Sequence, residues 1–129
     1  MIDHVGIPVS NYKKSKSFYT AVLAPLGYGL ILEVSSKETG GTSHAGFGAG
    51  GSPEFWIGAG KMVKGQGHFA FKAKTREAVR SFYDAAINAG GSDNGSPGLR
   101  PHYHENYFGA FVFDPDGHNI EAVCHEPEA

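Results

Sequence analysis

Hydrophobic residues flank a turn near the C-terminus in a pattern that predicts two antiparallel strands. The turn is the Asp-Pro-Asp-Gly sequence at 114–117, in which proline presets φ, and aspartate and glycine tolerate the conformations that follow. Apolar residues precede it at 111–113 and follow it at 120–123. Because side chains alternate along a strand, one face is apolar and predicts core; it carries Ile120, Ala122 and Cys124. Glu121 falls on the other face, and a carboxylate in the middle of a strand requires an explanation.

The first sixty residues show the pattern of a strand, a helix and three further strands. Residues 4–9 alternate as a strand does. A helix follows, whose predicted buried side has apolar residues at i, i+1, i+4 and i+5: Phe18, Tyr19, Val22 and Leu23. Three short segments, 28–34, 44–48 and 55–58, then read as strands. Residues 37–42 read as a polar loop.

The same pattern recurs in the second half of the chain at one constant offset. His4 corresponds to His68, Phe18 to Phe82 and Gly27 to Gly91, so strand, helix and helix stop stay in register. We interpret this as an internal duplication. The predicted fold class is α+β, with two tandem βαβββ modules that form a curled mixed sheet around a central cavity. Residues 1–129 form a single domain in this prediction, with module one at 1–62, module two at 63–129 and the joint at 60–67.

Residues 90–106 interrupt this regularity, because they are rich in glycine, serine, asparagine and proline. We predict a long loop there, and a loop of that length in a compact domain is usually functional or mobile. Its end carries a group of polar and aromatic side chains: Arg100, His102, Tyr103, His104 and Tyr107. These residues line the cavity in one interpretation and form a polar surface loop in the other.

Composition and charge exclude several classes of function. Eleven basic against thirteen acidic residues give a net charge of -2, and no basic stripe is present for nucleic acid or an anionic membrane. Neither a signal peptide nor a membrane-spanning stretch is visible. A single cysteine cannot form an internal disulfide, which fits a reducing compartment. We therefore expect a cytoplasmic protein with no nucleic-acid or membrane partner.

Two histidines and the mid-strand glutamate form a candidate metal site. His4 and His68 open the first strand of each module, and Glu121 lies on the last strand of module two. If the modules fold alike and face each other, these side chains line one cavity. Two imidazoles and one carboxylate are a suitable ligand set for a divalent metal, with positions left open for water or substrate. The alternative is three polar residues in a cavity that binds no metal.

Four sequence motifs resemble those of the vicinal oxygen chelate superfamily, which includes glyoxalases, extradiol dioxygenases, fosfomycin-resistance enzymes and bleomycin-resistance proteins. The motifs are Asp-His-Val-Gly-Ile at 3–7, Ser-Phe-Tyr at 17–19, Gly-His-Phe-Ala-Phe at 67–71, and Asp-Pro-Asp-Gly at 114–117 continuing to Glu121. The resemblance covers nearly the whole chain. It implies paired βαβββ modules around a divalent ion (Zn, Ni, Mn or Fe) held by His4, His68 and Glu121, and a homodimer.

The sequence departs from the glyoxalase pattern at one ligand position. Glyoxalases have a fourth ligand, a carboxylate on the last strand of the first module, but the constant offset between the repeats places Ile57 there. A set of two histidines and one carboxylate is closer to the dioxygenase or fosfomycin-enzyme pattern. The resemblance therefore implies a lyase or dioxygenase, and a metal-free binding protein of the bleomycin-resistance type is the alternative.

Roles for the remaining candidates follow from their position. His104 or Tyr107 would supply the catalytic acid or base, while Arg100, His102 and Tyr103 would contact substrate. We expect His125 at the rim, and His44 and His118 in solvent. Trp56 matches Ile120 at the same offset, which favours a place in the core.

Overall fold

The computed structural model describes residues 1–39, 42–61 and 67–128. Module one contains β1 (Val5–Val9), α1 (Tyr12–Leu23), β2 (Gly29–Val34), the four-residue helix α2 (Ser36–Thr39), β3 (His44–Gly48) and β4 (Phe55–Ala59). Module two contains β5 (His68–Lys72), α3 (Arg76–Asn88), β6 (Ser92–Leu99), β7 (Phe108–Phe113) and β8 (Asn119–Cys124). The boundary between the modules, at 62 and 63, lies outside the described residues.

Each module forms its own four-stranded mixed sheet. The strand orders are β1-β4-β3-β2 and β5-β8-β7-β6. In both sheets the first strand runs parallel to the last, and the other neighbours are antiparallel. This confirms the predicted α+β fold with two βαβββ modules. The two sheets do not close on each other within the chain.

The two long helices begin in the same way. The side chain of Asn11 accepts a hydrogen bond from the backbone N–H of Lys14 at 3.1 Å, and that of Thr75 accepts one from Ala78 at 3.0 Å. Each cap satisfies an N–H group that has no partner inside its helix. Asn11 and Thr75 correspond to each other at the offset of the repeat, so the duplication includes the capping positions.

Two loop predictions were wrong in part. Strand β6 occupies Ser92–Leu99 within the predicted loop at 90–106, at the place where the repeat puts the counterpart of β2. Its pairing with β7 shifts register twice, and such bulges accommodate the glycines that made this segment resemble a loop. In module one, the short helix α2 begins the predicted loop at 37–42, of which residues 40 and 41 lie outside the described part.

Corresponding residues of the two modules keep one constant offset in sequence number only through the first strand and the helix of each module. In module one, Gly6 of β1 pairs with Trp56, and in module two its counterpart Ala70 pairs with Glu121. The structural counterpart of Glu121 is therefore Trp56, and the assignment of the next residue, Ile57, was wrong. The net extra residue enters between α3 and β7, where the pairing of β6 with β7 has two register shifts and that of β2 with β3 has one.

One hydrophobic cluster contains residues of both modules. Ile120, Ala122 and Cys124 belong to it, which confirms the predicted core face of β8. Ile57 belongs to it as well, fully buried. Trp56 instead lies partly exposed on the opposite face of β4, so its predicted place in the core was wrong.

The Asp-Pro-Asp-Gly turn of module two accepts hydrogen bonds from module one. The hydroxyl of Tyr19, on α1, donates to the buried carboxylate of Asp114 at 2.5 Å. Ser10, which follows β1, donates from its backbone N–H (3.1 Å) and its hydroxyl to Asp116. His118 is buried here and not in solvent as expected, and its Nδ1 accepts from the backbone N–H of Gly67 at 3.1 Å.

Within residues 1–39, 42–61 and 67–128, no helix has the length and apolar character needed to cross a membrane.

Candidate functional site

Two of the three predicted metal ligands lie side by side on module two. His68 and Glu121 are on the neighbouring parallel strands β5 and β8, and both point to the side of the sheet away from the core. His68 Nε2 lies 2.9 Å from Glu121 Oε1. The Glu121 side chain is 1% exposed, whereas that of His68 is 53% exposed. The result is a buried carboxylate with an accessible imidazole above it. We call this side of module two the site face.

Tyr107 completes this group. Its hydroxyl donates a hydrogen bond to the second carboxylate oxygen of Glu121, Oε2. Burial raises the pKa of Tyr107, and the hydrogen bond and negative charge of Glu121 raise it further, since all three oppose the phenolate. Tyr107 therefore keeps its proton at neutral pH. Of the two roles predicted for it, the geometry favours the proton donor over the base.

His4, the third predicted ligand, lies apart from this pair. It precedes β1 in the other sheet, its side chain is 61% exposed, and its Nδ1 lies 2.6 Å from the carboxylate of Asp3. Throughout the described part of the chain, no three His, Cys, Asp or Glu side chains lie close enough together to hold a metal ion. One chain thus brings two of the three candidates together.

Arg100 and Phe111 extend the site face beside His68. Phe111 is the cross-strand neighbour of Glu121, and its ring centroid lies 6.3 Å from that of His68. The guanidinium of Arg100 lies over the ring of Phe111, 5.5 Å from its centroid. Arg100 was a sequence candidate, but Phe111 was missed. The ladder register with Glu121 was the signal that would have found it.

The other loop candidates form a cluster of rings around Tyr107. His104 Nε2 lies 2.7 Å from His125 Nδ1, with the two rings stacked, and both rings contact Tyr107 edge-on at 5.2 and 5.4 Å. The exposed ring of Tyr103 contacts Tyr107 at 4.9 Å, and His102 contacts Tyr103 at 4.3 Å. His104 is therefore a neighbour of Tyr107, while His102 lies outermost.

Two cavities lie on the surface of the described part of the chain. One, of about 410 Å³, lies between β5 and module one and is lined by His68, by the charged Glu54 and Lys72, and by five aromatic residues: Tyr28, Phe47, Phe55, Phe69 and Phe71. The other, of about 230 Å³, lies on the face of module one that corresponds to the site face, beside Trp56 and His44. We call this second surface the module-one face.

The family follows from the sequence as a whole. Residues 1–122 match the model of the Glyoxalase/Bleomycin resistance protein/Dioxygenase superfamily. The chain belongs to this superfamily. No functionally curated protein matches its sequence.

Solved structures show how widely the fold is shared. A glyoxalase/bleomycin resistance protein from Albidiferax ferrireducens T118 is 27% identical, with a TM-score of 0.78 over 95% of this chain and 97% of that one. The fosfomycin resistance protein FosX of Listeria monocytogenes is 17% identical, with a TM-score of 0.69 over 95% and 91%. Glyoxalase I of Zea mays is 22% identical, with a TM-score of 0.68 over 95% of this chain and 43% of that one. The last two likenesses show the fold alone.

Proposed function

We propose that this protein is a metal-dependent enzyme of the glyoxalase/dioxygenase type that acts on a small oxygenated substrate. The observation that carries the proposal is the arrangement around Glu121. A buried carboxylate is costly unless it is paired or holds a metal, and here it meets an accessible imidazole and a phenol that keeps its proton. Such a group combines ligands for an ion with a donor for a proton.

The chemistry of the donors fits a divalent transition metal. An imidazole nitrogen and a carboxylate oxygen are ligands for Zn, Ni, Mn and Fe. His68 and Glu121 would hold the ion, which would act as a Lewis acid toward a substrate oxygen. The metal identity is left open by this ligand set.

A second copy of the chain would supply the third ligand. His4 is exposed and apart from His68 and Glu121 within one chain. In a homodimer in which module one of one copy faces module two of the other, His4 of one copy would complete the site of its partner. Each dimer would then contain two sites, and each site would depend on both chains.

The protein's own residues would handle the proton and the substrate. Tyr107 would donate a proton or a hydrogen bond to a substrate oxygen as negative charge develops there. His104, in ring contact with Tyr107, would orient the phenol, and Tyr103 and His102 would cover the opening of the site. Arg100 would contact the substrate beside His68.

The alternative is a metal-free protein that binds an aromatic or cationic small molecule. The cavity of about 410 Å³ supports this alternative, because five aromatic side chains line it and Glu121 does not. Pockets of this size and apolar character bind small molecules. In that case Glu121 and His68 would be a structural pair.

Metal content of the untagged protein tests the proposal. We expect one divalent ion per chain in the wild type, and a loss of affinity of about 10- to 100-fold or more in Glu121→Gln, His68→Ala and His4→Ala. His44→Ala is the matched control, since it removes a histidine to which the proposal gives no ligand role, and it should leave the metal content unchanged. Wild-type protein that binds none of the four metals would support the metal-free alternative.

Mixed dimers test whether the site spans two chains. His4→Ala and Glu121→Gln homodimers each lack an intact site. After unfolding and refolding together, a mixed dimer would combine the intact His4 of one chain with the intact His68 and Glu121 of the other. We expect recovery of one metal ion per mixed dimer. A site within one chain would show no recovery on mixing.

A further inference from the structure

Arg100 is held in one conformation by its surroundings on the site face. Its two terminal nitrogens donate to the backbone carbonyls of Gly98 at 2.9 Å and Ser96 at 2.8 Å. A Cβ atom at Gly95 or at Gly98 would lie 3.2 Å from these nitrogens, closer than an ordinary contact, so the glycines of β6 make room for the guanidinium. The glycines of β6 therefore leave the space that the guanidinium of Arg100 occupies.

The charge of Arg100 has no acidic partner in the described residues. Its two hydrogen-bond acceptors are neutral carbonyls, and a guanidinium has five N–H donors. The other arginines of module two differ, because Arg76 and Arg80 lie 3.7 and 3.5 Å from carboxylate oxygens of Glu128. An anchored guanidinium without a carboxylate is suited to bind an oxyanion from solution.

This cation lies beside the proposed metal pair. It stacks on Phe111, which pairs with Glu121 across the ladder and contacts the ring of His68. One surface thus carries a fixed cation, an imidazole, a carboxylate and a proton donor.

We propose that Arg100 binds an oxyanion group of the substrate, so that the substrate is a small anion with a carboxylate or a phosphate-type group. This inference rests on the proposed function, because the anion belongs to the molecule whose other oxygens meet the ion at His68 and Glu121. Arg100 would orient the substrate by a charge-assisted hydrogen bond to the end that does not react.

Anion binding to the chelator-treated, full-length protein tests this assignment. Inorganic phosphate and acetate are titrated separately and followed by NMR, with potassium chloride as the control for ionic strength. We expect saturable shifts at the Arg100 Nε–H and at the backbone of 95–98 and 111. Arg100→Gln should weaken binding at least about tenfold, since it removes a charged hydrogen-bond donor. Arg100→Lys should retain part of it.

Arg80→Gln is the matched control. It also removes one positive charge beside an aromatic ring, that of Phe108, but on α3, and it should bind both anions as the wild type does. Thermal unfolding checks that Arg100→Gln is folded, and the wild-type shift map provides a readout that needs no variant. Shifts centred away from Arg100, shifts that do not saturate, or equal binding by folded Arg100→Gln would each overturn the inference.

A metal titration of the same samples separates this inference from the proposed function. Metal binding unchanged in Arg100→Gln, together with lost anion binding, supports both. Anion binding that depends on Arg100 in a protein that binds no metal would overturn the enzyme proposal but support an oxyanion site. Metal binding with anion binding independent of Arg100 would overturn only the role of Arg100.

Discussion

The two modules share one scaffold and differ in the chemistry of the faces that point away from the core. At corresponding ladder positions, module one has Trp56 and Gly46 where module two has Glu121 and Phe111. The site face thus carries a carboxylate beside an aromatic residue, and the module-one face carries an indole beside a glycine. Duplication preserved the hydrogen-bond ladder, and single side chains on its outward face distinguish the two copies.

The module-one face is built to hold an indole close to the sheet. A Cβ atom at Gly46 would lie 2.9 Å from two atoms of the Trp56 ring and 2.7 Å from the Cβ of Pro53. The indole therefore lies against the bare strand and remains partly exposed beside a cavity of about 230 Å³. Module one presents the indole of Trp56 on this face, whereas module two presents a carboxylate, an imidazole and a guanidinium.

Helices α1 and α3 differ in the burial of one hydrogen bond made by corresponding tyrosines. Tyr19 on α1 and Tyr83 on α3 are counterparts in the repeat, and each hydroxyl donates to an aspartate. Tyr19 is fully buried and bonds to the buried Asp114, whereas the bond from Tyr83 to Asp93 is exposed. Equivalent sequence positions thus make one bond inside the molecule and one in water.

Among the differences between the modules, removal of these two hydroxyl groups should cause the largest difference in stability. We expect Tyr19→Phe to lower the free energy of unfolding by about 1.5–3 kcal/mol, because the carboxylate of Asp114 loses a buried donor. Tyr83→Phe should leave the unfolding midpoint nearly unchanged, since water replaces its bond. Urea denaturation of both variants measures the difference. Equal losses would show that burial does not distinguish the two bonds.

A methyl group on the module-one face should have a smaller effect. Gly46→Ala forces the Trp56 ring outward, and we expect a loss of about 1–2 kcal/mol in stability from overpacking. Trp56 is the only tryptophan of the chain, so its fluorescence emission should shift to longer wavelength as the ring gains exposure. Gly29→Ala is the control, because a Cβ there meets no atom within 4 Å. Unchanged emission in Gly46→Ala would mean that the indole does not lie on Gly46.

The smallest expected effect is a pH dependence that arises on the site face. The folded state raises the pKa of Tyr107 above the ordinary value of 10.0, so it binds that proton more tightly than the unfolded state does. The corresponding stability is fully present below pH 10 and is lost as the pH rises further, toward the folded-state pKa. Tyr107→Phe should therefore show a shallower alkaline loss of stability than the wild type.

Ultraviolet absorbance of tyrosinate provides the measurement for Tyr107. In the folded wild type, one more tyrosine should titrate late than in Tyr107→Phe, while in urea the remaining tyrosines of both proteins should titrate together near their ordinary pKa. If the phenol missing from Tyr107→Phe is one that titrates early in the folded wild type, the result would contradict the hydrogen bond between Tyr107 and Glu121.

Local sequence patterns determined most of the elements and the core face of β8. The apolar face of β8 and the turn at 114–117 both depend on neighbours along the chain, so periodicity and turn chemistry were sufficient to predict them. The anomaly of Glu121 was visible for the same reason, since alternation along a strand separates it from the core.

Only the tertiary structure decided register and proximity. Strand β6 has one more register shift than β2, and a slip of one residue moves every later side chain to the other face of the sheet. That slip makes Trp56, not Ile57, the counterpart of Glu121. Likewise, the separation of His4 from His68 follows from the packing of two sheets that do not close within one chain. Sequence periodicity describes single elements, whereas which faces meet depends on contacts between residues far apart in the chain.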